Sequence, residues 1–212
     1  MKHLIFTLPF WCIGALSYAQ TQEDHIQQIR TWYQQTEEGL KDAHQFVEQR
    51  IWDSEPEIWM LIRHDGYHLD IPSTSYVTVP YDGRRIVYYW NGEIHKILDA
   101  EGDYPEGFSS TTTEYYFHDN EVFFIFRRFY QNEYYGENPG TTVTESRYYY
   151  KDGKLIRHLE KTYDNRGGNL ETAGQTTPNR TLTPEGLGPL PGAQKLLDHF
   201  ADRGFLMLRD PR

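Results

Sequence analysis

Short turn dipeptides occur at intervals along the middle of the chain, and they restrict its fold more than any other sequence feature. Each pairs Asp or Asn with Gly or Asn, residue types that tolerate the positive φ angles of a two-residue hairpin turn. The dipeptides are Asp65-Gly66, Asp82-Gly83, Asn91-Gly92, Asp119-Asn120 and Asp152-Gly153. Because β-branched and aromatic residues fill the stretches between them, the pattern predicts a series of antiparallel β-hairpins.

About eight β-strands are predicted between these turns. The β-rich runs cover residues 58–63, 75–79, 85–90, 93–98, 111–117, 121–130, 141–150 and 154–160. No helical periodicity separates the runs, so parallel crossovers are not expected and an antiparallel meander is the simplest topology. The sequence Glu-Asn-Pro-Gly at 137–140 is expected to close a longer hairpin.

A long amphipathic helix is predicted ahead of the strands, over residues 24–50. Apolar side chains recur there at spacings of three, four and seven, with Gln, Glu, Lys and Arg between them. Gly39 weakens this helix by up to about 1 kcal/mol relative to Ala. The apolar stripe is expected to pack on the sheet, and a helix that binds a partner is the alternative.

The C-terminal part, residues 164–212, is predicted to be a Gly/Pro-rich extension with a short helix. Residues 164–192 hold six of the 17 Gly and four of the 11 Pro, which is typical of a loop or linker. Residues 193–203 then form a short amphipathic stripe, and the apolar run 205–208 is expected to dock on the body as a strand or clip.

Together these elements predict a single α+β domain over residues 20–212. Its long N-terminal helix is expected to pack on a bent antiparallel β-meander or half-barrel of about eight strands, because a large twisted sheet tends to curl. The C-terminal loop and short helix would lie over it.

Residues 1–19 have the form of a secretory signal peptide. A positive start precedes an apolar run from Leu4 to Leu16, and Ser17 and Ala19 are the small residues expected before a cleavage site. Cleavage after Ala19 removes Lys2, Cys12 and no acidic residue, which leaves 193 residues with a formal charge of −11 and no cysteine. An exported chain without disulfides suits a bacterial periplasm or extracellular medium, with no transmembrane segment in the mature protein.

Tyr-rich hairpins form an internal similarity in the strand region. Three segments each place an aromatic group before a turn dipeptide and end on an aliphatic residue: VYYWNGEI at 87–94, YYFHDNEV at 115–122 and YYYKDGKL at 148–155. They resemble the Tyr-x-x-Gly-Lys hairpin repeats of MORN-type proteins and, more closely, the Tyr-rich hairpins of uncharacterised exported bacterial proteins. The resemblance covers residues 81–160 and implies an interaction scaffold, with no catalytic residue to transfer.

Charge and motifs restrict the function classes. A net charge of −10 argues against nucleic acid, whose phosphates require a basic surface. The chain has no nucleophile elbow, no phosphate-binding Gly-rich loop and no dinucleotide fingerprint. No cofactor is therefore expected, and an enzyme is less favoured than a binding protein.

One histidine pair remains as an alternative. His64 and His68 flank Asp65, and two imidazoles four residues apart could bind a divalent cation on a helix. The segment has the pattern of a strand and turn, which argues against a metal site. A periplasmic hydrolase built around His64, Asp65 and His68 is kept as the rival function.

The leading hypothesis is a non-enzymatic exported binding or interaction protein that uses an aromatic-rich sheet face. Fourteen of the 17 Tyr lie between 76 and 163, and adjacent Tyr residues must point to opposite faces of a strand. The candidate binding residues are Tyr88, Trp90, Tyr115, Phe117, Arg127, Arg128, Tyr148 and Tyr150. An unknown protein, a glycan or a small apolar ligand is the expected partner, and a carrier of an apolar ligand inside a half-barrel is a further alternative.

Overall fold

A computed structural model describes residues 11–50, 59–63, 83–102, 109–134, 139–166, 168–183 and 192–202. Side chains are described within these ranges except at 11–21, 49–50, 59–63 and 201–202. The predicted strand at 75–79, the turn at Asp65-Gly66 and the apolar run at 205–208 lie outside the described residues.

The described elements are three α-helices, one short 3-10 turn and nine strands. The helices are α1 (Trp11–Gly39), α2 (Leu170–Thr176) and α3 (Ala193–Asp202), and the 3-10 turn is Leu40–Asp42. The strands are β1 (His44–Arg50), β2 (Trp59–Arg63), β3 (Gly83–Trp90), β4 (Glu93–Gly102), β5 (Ser109–His118), β6 (Glu121–Glu133), β7 (Gly140–Lys151), β8 (Lys154–Asp164) and β9 (Arg180–Leu182). The predicted α+β class, with an N-terminal helix and a short C-terminal helix, is confirmed.

The described strands form one open antiparallel sheet in the order β2-β1-β3-β4-β5-β6-β7-β8-β9. From β3 to β9 each strand pairs with its neighbour in the chain, so the predicted meander is confirmed over that part. β2 departs from it, because β1 pairs with β3 and leaves β2 at the edge.

Three of the predicted two-residue turns connect the central hairpins. Asn91-Gly92, Asp119-Asn120 and Asp152-Gly153 all have φ between 50° and 80°. Positive φ at both central residues is the geometry of the type I′ turn, whose twist matches that of the strands it joins. The predicted longer hairpin is also present, since β6 and β7 pair up to Glu133 and Gly140.

Helices cover both faces of the sheet. On the first, the α1 face, Ile26 and Ile29 pack with rings that include Tyr116, Phe124 and Tyr149. On the second, the α3 face, the helix side chains Leu196, Leu197 and Phe200 form a cluster with Phe46, Val87, Ile97, Tyr115, Phe117, Ile125, Tyr148 and Tyr150. The alternation predicted for adjacent Tyr residues is confirmed, because Tyr115 belongs to the α3 face and Tyr116 to the α1 face.

The predicted helix over 24–50 is wrong after residue 42. α1 ends at Gly39, and residues 44–50 form β1, between β2 and β3. Both faces of β1 are buried, with Phe46 towards α3 and Val47 in a cluster with Ile86 and Tyr88. The four-residue spacing of Ala43 and Val47 is compatible with a helix, but pairing with β2 on one side and β3 on the other stabilises the extended form.

The prediction of a loop over residues 164–192 is also wrong in part, because their described part contains α2 and the edge strand β9. Asn169 starts α2, because its side-chain oxygen accepts from the backbone N–H groups of Glu171 and Thr172. This short helix lies against β8, where it borders the site described next.

Candidate functional site

A cleft of about 660 Å³ opens on the α1 face, between α1 and α2. Strands β6, β7 and β8 form its floor. The volume is within the range of small-molecule sites, roughly 300–1,000 Å³. We call this space the α1–α2 cleft; its lining residues are Ile29, Arg30, Tyr33, Phe124, Phe126, Arg128, Tyr130, Val143, Glu145, Arg147, Tyr149, Lys161, Tyr163, Asn169, Leu170, Glu171, Gly174 and Gln175.

The strand register arranges the floor in rows that cross the three strands. Arg128, Glu145 and Lys161 lie directly opposite one another and form a row of alternating charge. Tyr130, Val143 and Tyr163 form the next row on one side. Phe126 with Arg147, and then Phe124 with Tyr149, continue on the other side. Side chains two positions apart share a face of a strand, so all these groups point into one surface.

Glu145 is the centre of the charged row. Its carboxylate accepts hydrogen bonds from Tyr163 at 2.8 Å and Arg147 at 2.8 Å. Lys161 Nζ lies 3.4 Å from the same carboxylate, and Arg128 Nε lies 3.8 Å from it. Burial and the hydrogen bond to Glu145 raise the pKa of the Tyr163 phenol, which stays protonated and acts as a donor.

A second charged cluster joins this row to α1. Glu114 is buried, and Lys96 Nζ, Arg128 and the Tyr116 hydroxyl lie 2.8, 3.2 and 2.6 Å from its oxygens. Lys96 also binds Glu37 of α1 at 2.8 Å. Burial alone would lower the pKa of Lys96, but Glu114 and Glu37 outweigh it and raise that pKa.

Aromatic rings supply most of the apolar surface of the cleft. The Tyr33 ring of α1 packs edge-on against Phe124 with centroids 5.5 Å apart, and Phe124 packs on Tyr149 at 5.1 Å. The ring of Phe126 carries two guanidinium groups, with Arg128 Cζ at 4.1 Å and Arg147 Cζ at 5.1 Å from its centroid. The floor therefore presents rings and cations side by side.

Gly174 allows α2, which forms one wall of the cleft, to pack close to the sheet. A Cβ atom at Gly174 would meet the Tyr163 ring at 2.9 Å, and Lys161 donates a hydrogen bond to the Gly174 carbonyl. Any larger residue would push α2 away from β8 or displace the phenol that binds Glu145.

We expect Gly174→Ala to destabilise the protein by about 1–2 kcal/mol, because the added methyl overpacks the contact with Tyr163. Helix propensity acts in the opposite direction by up to about 1 kcal/mol, and the clash is expected to exceed it. Urea denaturation measures the change. Thr172→Ala, at an exposed position of the same helix, is the control and should stay within about 0.5 kcal/mol of the parent. A stabilised Gly174→Ala variant would contradict the close contact.

The eight residues predicted from the sequence to bind a ligand lie in different parts of the structure. Tyr115, Phe117, Tyr148 and Tyr150 are buried beneath α3 and do not form an open face. Tyr88 is buried on the α1 face with Val47, and Trp90 packs against that cluster. Arg127 is exposed outside the cleft, and Arg128 alone among the eight lines it. The rings of Tyr115, Phe117, Tyr148 and Tyr150 are not exposed, because α3 covers their side of the sheet. That any of the eight residues binds a ligand stays a prediction.

Several residues of the cleft were missed by sequence analysis. They include Tyr33, Glu145, Arg147, Lys161 and Tyr163. A signal for them exists in the alternation of charged and aromatic residues at every second position of three successive strands: Arg128 and Tyr130, then Glu145, Arg147 and Tyr149, then Lys161 and Tyr163. No comparable local pattern predicts that α1 and α2 pack beside these strands.

Three histidines of the described chain serve as stacking partners. His95 stacks on Trp90 at 3.6 Å, His118 on Trp32 at 4.3 Å and His158 on Tyr148 at 4.3 Å. Burial lowers the pKa of His95 and of His158. No group of three His, Cys, Asp or Glu side chains suited to a metal ion occurs among the described residues. The pair His64 and His68 lies outside them.

Comparison of the chain with protein-family models, curated proteins and solved structures finds no match. Within the described part of the chain, no helix is both long and apolar enough to cross a membrane.

Proposed function

We propose that the chain is an exported, non-enzymatic binding protein that holds a small molecule in the α1–α2 cleft. The observation that carries the proposal is the combination of shape and lining: about 660 Å³ of space over a floor of rings and charged side chains. Small-molecule sites have this character, because apolar and aromatic surface supplies affinity and a few polar groups set orientation. The aromatic-rich sheet face thus keeps its proposed role with a different set of residues.

The state of the ionisable groups favours binding over catalysis. A general acid or base must exchange a proton near neutral pH. In the cleft the Tyr163 phenol has a raised pKa and donates to Glu145, and Glu145 also accepts from Arg147 and faces Lys161. These hydrogen bonds and ion pairs hold the charged groups in fixed positions, which suits them to recognising a ligand of complementary charge.

Hydrogen bonds within the protein also position the cations of the cleft in the absence of a ligand. Arg147 is fixed at both ends of its guanidinium, by Asn179 at 2.6 Å and by Glu145 at 2.8 Å. Lys161 is tied to α2 through the Gly174 carbonyl. A site organised in advance loses less conformational entropy on binding, which favours affinity.

The exported location is supported by the signal pattern of residues 1–19. Cleavage after Ala19 would retain the part of α1 from residue 20, which includes Ile29, Arg30 and Tyr33 of the cleft wall. The mature protein would therefore keep every residue that lines the α1–α2 cleft.

A steric block tests the proposal. Gln175 is exposed on α2 and lines the cleft, so Gln175→Trp is expected to fill part of it. The probe is phenylnaphthylamine, a neutral dye that fluoresces in apolar surroundings. We expect saturable binding to the parent protein and at least about tenfold weaker binding to Gln175→Trp, because lost ring contact of about 1.4 kcal/mol corresponds to that factor.

Thr172→Trp is the matched control, since Thr172 is exposed on the same helix but does not line the cleft. It should bind the dye like the parent. Absence of saturable binding to the parent, or equal binding by Gln175→Trp and the parent, would contradict the proposed site.

A further inference from the structure

We propose that the ligand of the α1–α2 cleft is a monocarboxylate with an aromatic or other apolar ring body. This inference rests on the proposed binding function and specifies the chemistry that the cleft recognises. Three features carry it: an excess of positive charge on the floor, N–H donors directed at one place, and rings beside them.

The charge excess is found by following the ion pairs of the α1 face. Among the described residues, one connected network joins four cations to three carboxylates. The cations are Lys96, Arg128, Arg147 and Lys161, and the carboxylates are Glu37, Glu114 and Glu145. Although the chain has a net charge of −10, this network, counted over the described residues, therefore has one more cation than carboxylates.

The excess lies at Arg147 and Lys161. Glu37 and Glu114 offset the charges of Lys96 and Arg128. Arg147 and Lys161 share Glu145, which Arg128 Nε also approaches at 3.8 Å. Their side chains are only 25% and 10% exposed, respectively, so water screens them poorly. A partly buried cation without a full counter-charge is costly, and an anion placed beside it recovers that energy.

Both cations have donors to offer. A guanidinium has five N–H groups and an ammonium has three. The described partners of Arg147 are Asn179 and Glu145, and those of Lys161 are Gly174 and Glu145. Further N–H groups on both remain to bind a ligand carboxylate, for which the planar fork of an arginine is well suited.

Aromatic rings lie on both sides of the position beside Arg147 and Lys161 where a ligand carboxylate would bind. Phe124 and Tyr149 lie on the α1 side of it, together with Tyr33, and Tyr130 and Tyr163 lie on the α2 side. A ring body bound against them would stack while its carboxylate contacts Arg147 and Lys161.

The charged side chains of α1 and α2, which form the walls of the cleft, do not change its net charge. Arg30 on α1 and Glu171 on α2 both line the cleft, and both are exposed, so their opposite charges offset each other in water. A single negative charge on the ligand is therefore the complement of the site, and a cation should be disfavoured.

The test uses three probes that share one ring body and differ in charge: naphthoate, naphthalenemethanol and naphthylmethylammonium. Titration calorimetry on the full protein gives their affinities. We expect naphthoate to bind about tenfold more tightly than the neutral alcohol, as one charge-assisted hydrogen bond predicts, and the ammonium most weakly. Added salt should weaken naphthoate binding and leave the alcohol unaffected.

Arg147→Gln and Lys161→Gln identify the residues responsible. Each is expected to remove most of the preference for naphthoate over the alcohol. Arg180→Gln is the matched control, because Arg180 is 71% exposed, pairs with Glu160 and does not line the cleft. Arg147→Lys keeps the charge and should keep part of the preference. Circular dichroism reports whether each variant is folded, and if Arg147→Gln does not fold, Lys161→Gln decides.

The outcomes separate this inference from the proposed function. If all three probes bind equally, or the ammonium binds best, the monocarboxylate inference is wrong while the cleft remains a binding site. If folded Lys161→Gln and Arg147→Gln both retain the parent preference, the anion does not bind at these residues. If neither these probes nor phenylnaphthylamine binds, both proposals fail.

Discussion

Replacing Glu114 with glutamine is expected to destabilise the protein by about 3–5 kcal/mol, the cost of breaking a buried ion pair by removal of one partner. Glu114 is 6% exposed and holds Lys96, Arg128 and the Tyr116 hydroxyl together between β4, β5 and β6. The amide keeps the shape of the side chain but leaves two partly or fully buried cations with less counter-charge. Urea denaturation of the parent and the variant measures the difference.

The pH dependence of stability provides a second readout for Glu114→Gln. Burial alone would raise the pKa of Glu114, but Lys96 and Arg128 outweigh it and hold the pKa below its ordinary value. This carboxylate therefore stabilises the fold above the unfolded pKa of about 4.3, and its contribution is lost as the pH falls through the lower folded pKa. The variant should lack that part of the acid transition.

At alkaline pH, the dependence of stability on pH has the opposite sign. Lys96 and Tyr116 both have a raised pKa in the folded protein. Their contribution is complete below the unfolded values of about 10.4 and about 10, and it is lost as the pH rises through the folded ones. Glu114→Gln should weaken the contribution of Lys96 there as well.

Glu121→Gln is the control for these measurements, because Glu121 is exposed at the start of β6. Its effect should not exceed about 0.5 kcal/mol. A Glu114→Gln variant with the parent's stability and an unchanged acid transition would show that the network does not hold the α1 face together.

Phe200→Ala is expected to cost about 3–5 kcal/mol, the usual range for deleting a fully buried ring. Phe200 is 0% exposed and, with Leu196 and Leu197, forms the contact of α3 with the sheet. Since α3 contains only ten residues, it depends on this packing, and loss of the ring should release the helix. Chemical denaturation and amide hydrogen exchange of residues 193–202 measure the two effects.

Lys195→Ala is the matched control, because Lys195 is exposed on the same helix. It should change stability by no more than about 0.5 kcal/mol. The α1–α2 cleft lies on the opposite face, so a folded Phe200→Ala protein should bind phenylnaphthylamine with the parent affinity. A cost below about 1 kcal/mol would indicate that α3 does not cover the sheet in solution.

The roles of Phe200 and Glu114 differ in how far the sequence predicts them. The stripe of Leu196, Leu197 and Phe200 is visible in the sequence and predicts a helix that buries one side. Glu114 has no such signal, because its partners Lys96 and Arg128 lie on other strands and meet it only through the register of β4, β5 and β6.

The wrong prediction for 44–50 has the same origin. A spacing of four between Ala43 and Val47 is compatible with a helix and with a strand buried on both sides. Backbone pairing on both sides, with residues 59–63 and with residues 84–89, decides between them. Likewise, α2 is hidden in a stretch rich in Gly, although Gly174 is the residue that lets it approach Tyr163.

The turn dipeptides are where the sequence alone determined the structure. Asn91-Gly92, Asp119-Asn120 and Asp152-Gly153 specify their hairpins because positive φ is a property of two residues and needs no distant partner. Tertiary structure decided which face of each hairpin is covered. α3 buries the rings of Tyr115 and Tyr148, and the pairing of β6, β7 and β8 beside α1 and α2 brings Arg128, Glu145 and Lys161 into one cleft. Side chains from separate segments converge only after the strands have paired, so the candidate site is a product of register and packing.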